Sequence, residues 1–377
     1  MLYIYQQSDW PAFRWKASAL ADILARVRHR QGKLLGHLEA LGFPLRQEAL
    51  LETLSSDVLK TSEIEGERLN AEQVRSSLAR KLGMEAGALK AADRNVEGIV
   101  EMTLDATRNY RQPLTGARLF SWHAALFPTG YSGLKKIRAG AWREGPMEVV
   151  SGAMGKERIH YEAPPAATLD AEMHAFLAWF NTEGDQDWVM RAALAHLWFV
   201  TIHPFDDGNG RIARAVADLA LARSEDSPRR FYSMSSQIRK ERSDYYDILE
   251  ATQKGGLDVT PWMKWFLSCL ERAIGSAQVA LAKVLGKARF WESIADVPLN
   301  PRQRKMLNRI LDGIEGPLTN AKWAKMAKCS ADTALRDLQY LVEKRILVRG
   351  EAGGRSSSYS IAAKTRWSSR PPFPSSY

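Results

Sequence analysis

Apolar positions in the first hundred residues recur at three- and four-residue intervals with charges between them. "ALADILARVRHRQGKLLGHLEAL" and "RQEALLETLSSDVLKTSEIEG" both keep Leu, Ile and Val on one side of a helical period, which predicts amphipathic helices across residues 1–110. "RQPLTGARLFSWHAALFPTG", Arg111 to Gly130, predicts a helix bounded by Pro and Gly at both ends. The rhythm then breaks at "PMEVVSGAMGKERIHYEAPP" (146–165). Its two short segments about "GAMGK" predict a β-hairpin ended by Pro164-Pro165. Helical spacing resumes in "LDAEMHAFLAWFNTE", "WVMRAALAHLWFVTIHPF" and "RIARAVADLALARS", and continues through Leu285.

From about Asn300 the pattern changes. "NPRQRKMLNRILDG" predicts a helix stopped by Gly, "TNAKWAKMA" a short helix capped by Thr319 or Asn320, and "CSADTALRDLQYLVEKRIL" a third entered at Ser330. "VRGEAGGRSSSYSI" then predicts two strands around a Gly-rich turn. Three helices and a hairpin is the order of a winged helix-turn-helix, placed at 296–364. The Ser/Pro-rich "WSSRPPFPSSY" falls in 365–377 and is expected to lack fixed structure.

Charge sharpens this division. The chain carries a net +10, and Asn300 to Tyr377 hold 15 Lys/Arg against 6 Asp/Glu, so nearly all of the excess lies in the last fifth. Such a segment suits nucleic acid, although winged helices also serve as protein-docking or dimerisation modules. For DNA, Thr333, Arg336 and Gln339 would face a groove and Arg349 and Arg355 would meet phosphates. At 377 residues the chain has room for two or three domains. Its two cysteines, Cys269 and Cys329, form no CxxC pair, which argues against a disulfide framework or structural zinc. The N-terminus lacks the n- and h-regions of a signal peptide, and no apolar run is long enough to span a bilayer. A cytoplasmic protein away from the membrane is the expectation.

The most unusual stretch is "IHPFDDGNGRIAR", residues 202–214, between two helical patterns. A Gly-rich turn opening a helix at about Gly210 offers backbone N–H groups and a positive helix end to an anion. Arg211 and Arg214 share a face of that helix's first turns, and paired guanidinium forks suit polyphosphate. Asp207 offers a hard oxygen for Mg²⁺ held jointly with phosphates. His203 titrates near neutrality and is placed to take a proton from an incoming hydroxyl. An isolated DDG or GNG is usually a turn, and a single His near an apolar face is usually core. All of these elements in one order point instead to attack of an alcohol on a nucleotide phosphate. A calcium loop fits poorly, because the acids do not alternate and no distal Glu follows. His196, seven residues earlier, reads as core packing.

The stretch resembles the Fic signature H-x-F-x-[D/E]-G-N-G-R-x-x-R, matched at every defined position from His203 through Phe205, Asp207, Gly208, Asn209, Gly210 and Arg211 to Arg214. The resemblance implies a mainly α fold: a Fic-type helical core over 111–290 with a β-hairpin flap, beside the small winged helix. It implies transfer of AMP from ATP, with Mg²⁺, to a Ser, Thr or Tyr hydroxyl of a target protein. Carried over residue by residue, His203 is the base and Phe205 packs the motif. Asp207 holds Mg²⁺ and Asn209 binds the α-phosphate. Gly208 and Gly210 line the anion hole, and Arg211 and Arg214 take the β- and γ-phosphates. The hairpin is similar to the flap that registers a target's backbone by strand addition, with Val149, Val150, Met154 and Gly155 as docking residues. "SDYYDILEATQ" resembles the helix closing the adenine pocket. Tyr245 and Tyr246 are then stacking or ribose contacts, or simply packed, and Gln253 stands where relatives commonly carry Asn.

"TSEIEG", residues 61–66, resembles the family's inhibitory motif [S/T]-x-x-x-E-[G/N], with Thr61, Glu65 and Gly66 in the defined positions. The implied brake is the helix over about 48–66, whose Glu65 pairs with Arg214 and denies it to the γ-phosphate. Three alternatives remain: a DNA-binding regulator with a nucleotide-sensing core, a vestigial partner protein, and a Glu65-dependent reverse reaction that removes AMP. Many relatives dimerise, but nothing in the sequence fixes an interface. "YIYQQSDWPAFRW" looks like an N-terminal extension that accompanies many such proteins.

Overall fold

The computed structural model describes residues 2–39, 42–84, 91–152, 158–314, 316–350 and 357–362. They form two compact units, Met1–Ala277 and Gln278–Tyr377. The first therefore takes in both the N-terminal helices and the segment after residue 111.

In the first unit, α1 (Ala17–Glu39), α2 (Phe43–Ile64), α3 (Ala71–Lys81), α4 (Arg94–Arg108) and α5 (Gly116–Leu126) come first. Polar side chains stop fraying at their starts: Asn70 accepts from the backbone of Glu72 and Gln73, Asp93 from Val96 and Thr115 from Arg118. Two hairpins follow, β1 (Tyr131–Ser132) with β2 (Lys135–Lys136) and β3 (Glu148–Ser151) with β4 (Arg158–Glu162), both antiparallel. The second is the hairpin expected at 146–165. Val149 pairs with Tyr161 and Val150 with Ile159, and the register is irregular between the two valines. Then come α6 (Leu169–Asn181), α7 (Trp188–Ile202), α8 (Asn209–Glu225), α9 (Met234–Lys240), α10 (Arg242–Gln253) and α11 (Thr260–Ser293), whose last turns belong to the second unit.

The centre is α7 packed on α8. Every residue of α7 from Val189 to Ile202 is buried, as an all-round apolar helix must be. Phe176 and Phe205 pack on its Phe199 and Trp262 on its His196, each of the three with no more than 1% of its surface exposed and worth roughly 1.5–3 kcal/mol of burial. A polar cluster joins α2 to this centre: Asp57 accepts from the Ser233 hydroxyl and the Ser235 amide (3.3 Å), while Asp218 of α8 pairs with Arg230. Burial, opposed by Arg230 and reinforced by Asp57, pushes the Asp218 carboxyl up to about 7.

The second unit holds α12 (Pro301–Asp312), β5 (Leu318–Thr319), α13 (Asn320–Ala327), α14 (Ala331–Glu343), β6 (Leu347–Arg349) and β7 (Ser358–Ile361). Asn300 and Gln303 form a capping box, and Thr319 and Ser330 cap α13 and α14 through Lys322 and Thr333. Met306, Leu307, Trp323, Leu338, Leu341 and Leu347 make its core. The sheet is antiparallel in the order β5-β7-β6, so a third strand joins the expected two. No described helix is long and apolar enough to cross a membrane.

Candidate active site

Pro204 cannot continue α7, and the helix ends on His203 in the left-handed conformation (φ 51°, ψ 59°). Its Nδ1 lies 3.0 Å from the Val200 carbonyl, which can only accept. The proton therefore sits on Nδ1, and Nε2 keeps the free lone pair. Burial lowers the imidazole's pKa, with Arg143 adding to that and the Val200 carbonyl and nearby carboxylates opposing it. The ring is neutral and ready to accept a proton.

The turn after His203 is held from inside. Asn209 accepts from the Phe205 amide (2.9 Å) and donates to the Phe205 carbonyl (2.8 Å). Phe205 stacks on His123 at 4.2 Å and 6°. Gly208 starts α8 at φ 78°, where an added Cβ would stand 2.9 Å from the Phe127 ring, so both conformation and space demand glycine. Asp207 accepts from the Gly208 amide at 2.5 Å and from the Ser132 hydroxyl on the β1–β2 hairpin.

The two arginines of α8 meet carboxylates from the end of α2. Arg214 donates through Nε to the Thr61 hydroxyl (2.7 Å) and through Nη2 to the Thr61 carbonyl (3.0 Å) and the Glu65 carboxylate (2.7 Å). Thr61 and Glu65 lie one turn apart, so a single helix face offers both. Gly66, at φ 87°, closes α2: its amide bonds the Glu63 carbonyl and that of Glu67 bonds Ser62, a Schellman cap. The cap carries Glu67 back to Arg211, whose Nη1 it meets at 2.7 Å. Burial acts to lower the Arg214 pKa, and the Glu65 charge outweighs it, so the net shift is upward. A Cβ on Gly210 would stand 2.3 Å from a Glu65 oxygen, so this carboxylate lies over the first turn of α8. Arg211 Nε and Arg214 Nη1 are buried and find no partner among the described residues.

The fold also places the other expected site residues. Both ends of the Asn209 amide meet the Phe205 backbone, which holds the turn in shape and leaves one of its two N–H donors without a partner among the described residues. Tyr245 is buried, with its hydroxyl 2.9 Å from His196 Nε2, which is the packed alternative of the two expected. His196 is fully buried, and burial with the Arg214 charge pushes it down to about 3. Gln253 donates to the Val200 carbonyl (3.3 Å) and the Thr201 hydroxyl (3.5 Å) of α7. Tyr246 is part exposed, reaching the Ile64 carbonyl at 3.4 Å beneath the Arg242 guanidinium. On the β3–β4 hairpin Val149 is half-buried and Val150 exposed; Met154 and Gly155 lie outside the described residues. In the second unit Thr333 bonds Ser330, Arg336 and Gln339 are exposed on α14, and Arg349 reaches Ser357 at 2.7 Å; Arg355 lies outside the described residues.

Three residues escaped the sequence reading. Arg143, almost fully buried, donates to the carbonyls of His203 (2.9 Å), Gly145 (2.7 Å) and Pro164 (2.5 Å), tying the histidine to both ends of the β3–β4 hairpin. His123 accepts from the Gly140 amide (2.9 Å) and donates to the Asp207 carbonyl (3.1 Å), and burial lowers it to about 4. Glu67 is the third. Trp142 and Arg143 precede the hairpin and offered only an isolated basic residue as signal.

Among the described residues no three His, Cys, Asp or Glu cluster as metal ligands. One hard carboxylate beside an anion turn fits Mg²⁺ carried in with phosphates.

A central buried helix pair, a left-handed histidine between its helices and an anion turn opening the second define a Fic-type helical domain. Residues 113–221 match the model of the Fic/DOC family, so the chain carries a Fic/DOC domain; residues 3–84 match a domain of unknown function (DUF4172). A protein adenylyltransferase Fic from Culex quinquefasciatus is 33% identical over 115 residues, 29% of this chain and 21% of the relative. One from Nematostella vectensis is 36% identical over 115 residues, 29% of this chain and 25% of the relative. The chain thus spans about a quarter or less of these relatives' length. The crystal structure of a Fic family protein from Desulfovibrio desulfuricans aligns at TM-score 0.52 and 21% identity over 92% of this chain and 96% of that one, which shows a shared fold.

Proposed function

We propose that the protein transfers AMP from ATP to a Ser, Thr or Tyr hydroxyl of a target protein and of itself, and that the end of α2 restrains it. The observation that carries this reading is the pair of buried, unpartnered guanidinium donors at the start of α8, beside an imidazole whose Nε2 is free. Each such donor costs about 1–3 kcal/mol unless a ligand meets it. Polyphosphate oxygens would do so, helped by the positive end of α8.

In the reaction, Nε2 of His203 takes the proton of the incoming hydroxyl, whose oxygen bonds to the α-phosphorus. The bond from that phosphorus to the bridging oxygen breaks and pyrophosphate leaves, its charge met by Arg211, Arg214 and the first amides of α8. Asp207 would hold Mg²⁺, which supplies charge neutralisation on the phosphates. Arg143 keeps His203 in its cap, and the β3 edge with exposed Val150 would register the target's backbone.

Glu65 denies Arg214 to ATP, and Glu67 does the same for Arg211 with a more exposed carboxylate. Mass spectrometry of the Glu65→Gly chain incubated with ATP and Mg²⁺ tests the reading. An AMP adduct on a hydroxyl, lost with His203→Ala, supports it; an unmodified Glu65→Gly chain with ATP bound refutes it.

A second reading applies to the basic unit, where exposed Arg336, Gln339 and Arg349 favour DNA contact.

A further inference from the structure

Outside the candidate active site, residues of α2, α4 and the turns after α3 and α8 line a cavity of about 420 Å³. This volume lies within the range of small-molecule sites. Leu50 and Leu54 of α2 and Leu104 of α4 give it an apolar floor. Arg46, Arg108 and Arg229 stand around it, and no acidic residue lines it among the described residues. Arg46 Nε is buried without a hydrogen-bond partner among the described residues. Among the described residues Arg108 donates to the Lys81 carbonyl (3.1 Å). Arg108 and Arg229 are exposed at its rim, and Arg46 brings a buried unpartnered Nε, so among the described lining residues positive charge stands beside leucines with no carboxylate to meet it.

We propose that this cavity binds an amphipathic organic anion. A carboxylate, sulfonate or phosphate head would sit among the three arginines through charge-assisted hydrogen bonds, and an aliphatic or aromatic body would lie on the leucines. The cavity exists with α2 docked, so a ligand that fits it favours the docked state. α2 ends at Glu65, and occupancy therefore strengthens the restraint. This last step rests on the proposed AMP transfer; the binding itself does not.

The test uses the full chain and two fluorescent probes. 8-Anilinonaphthalene-1-sulfonate carries an aromatic body with an anionic head, and N-phenyl-1-naphthylamine is the same body without the charge. The sulfonate should bind the wild type at least tenfold more tightly than the neutral probe and raise its melting temperature. Arg46→Glu with Arg229→Glu should abolish that preference. Arg46→Gln with Arg229→Gln, which should weaken it, serves if reversal disturbs the circular dichroism melt. Equal affinity of the two probes for the wild type, or a preference that survives both double variants, overturns the proposal. Saturating sulfonate should also lower self-labelling from α-labelled ATP in the wild type and not in the double variants. Specific binding without that response would refute the link to the restraint while leaving the site intact.

Discussion

Removing the Glu65 carboxylate should release the site for ATP by an amount that the structure bounds. Arg214 is 2% exposed and meets Glu65 at 2.7 Å, with the Thr61 hydroxyl and carbonyl filling two further donor positions. ATP must displace the carboxylate to use the same guanidinium. A hydrogen bond to a charged group contributes about 1.5–3 kcal/mol, and each 1.4 kcal/mol is tenfold in an equilibrium. Glu65→Gly should therefore tighten ATP binding about ten- to hundredfold and raise self-labelling alongside it. Glu65→Gln keeps the side chain's size but loses its charge, and should fall between Gly and the wild type. Calorimetric titration of ATP into each variant, with labelling measured in parallel, provides the check. If both substitutions leave affinity and labelling unchanged, the competition argument fails whatever the site's chemistry.

Glu67→Gln removes a half-exposed partner of Arg211 and should give only a severalfold gain in ATP affinity, additive with nothing else on α2's surface; a gain matching Glu65→Gly would reverse the ranking of the two carboxylates. Burial lowers the His203 pKa, and the neutral ring is the active form. Labelling by the Glu65→Gly chain should thus stay flat above about pH 6.5, the unperturbed value, and fall only as pH drops through the lowered pKa; an inflection above 6.5 would contradict this. Arg143→Met should cut the labelling rate at least tenfold at saturating ATP while ATP affinity holds, because the lost contacts position His203 and the hairpin; an equal fall in affinity would assign Arg143 to general stability. Arg336→Glu in the full chain should weaken a low-salt DNA gel shift severalfold, and a wild-type chain that gives no shift removes the DNA reading.

Pattern and composition were enough for the helices, because α7 is apolar on nearly every side, with Arg191, His196 and Thr201 as exceptions, and α2 is amphipathic; local chemistry was enough for the turn from His203 to Arg214. Thr61 and Glu65 were legible as one helix face. What stayed hidden arises where distant segments meet. His123 lies 84 residues from Asp207, and Arg143 lies 60 from His203, so no local spacing could pair them. Strands β1, β2 and β5 have two residues each, too few for an alternating pattern. Asn209, Tyr245 and Gln253 also meet buried groups of distant or neighbouring segments, and those partners had no local signature. Glu67 was within reach of sequence reasoning: a Gly66 cap reverses the chain and carries the next carboxylate to Arg211.

The central claim is that a hydroxyl attacks the α-phosphorus of ATP seated at the start of α8. Incubating the Glu65→Gly chain with Mg²⁺ and either α-labelled or γ-labelled ATP addresses it most directly. Covalent label from the α-position alone, absent with His203→Ala, is the predicted result. Label from the γ-position, or none from either, would contradict it.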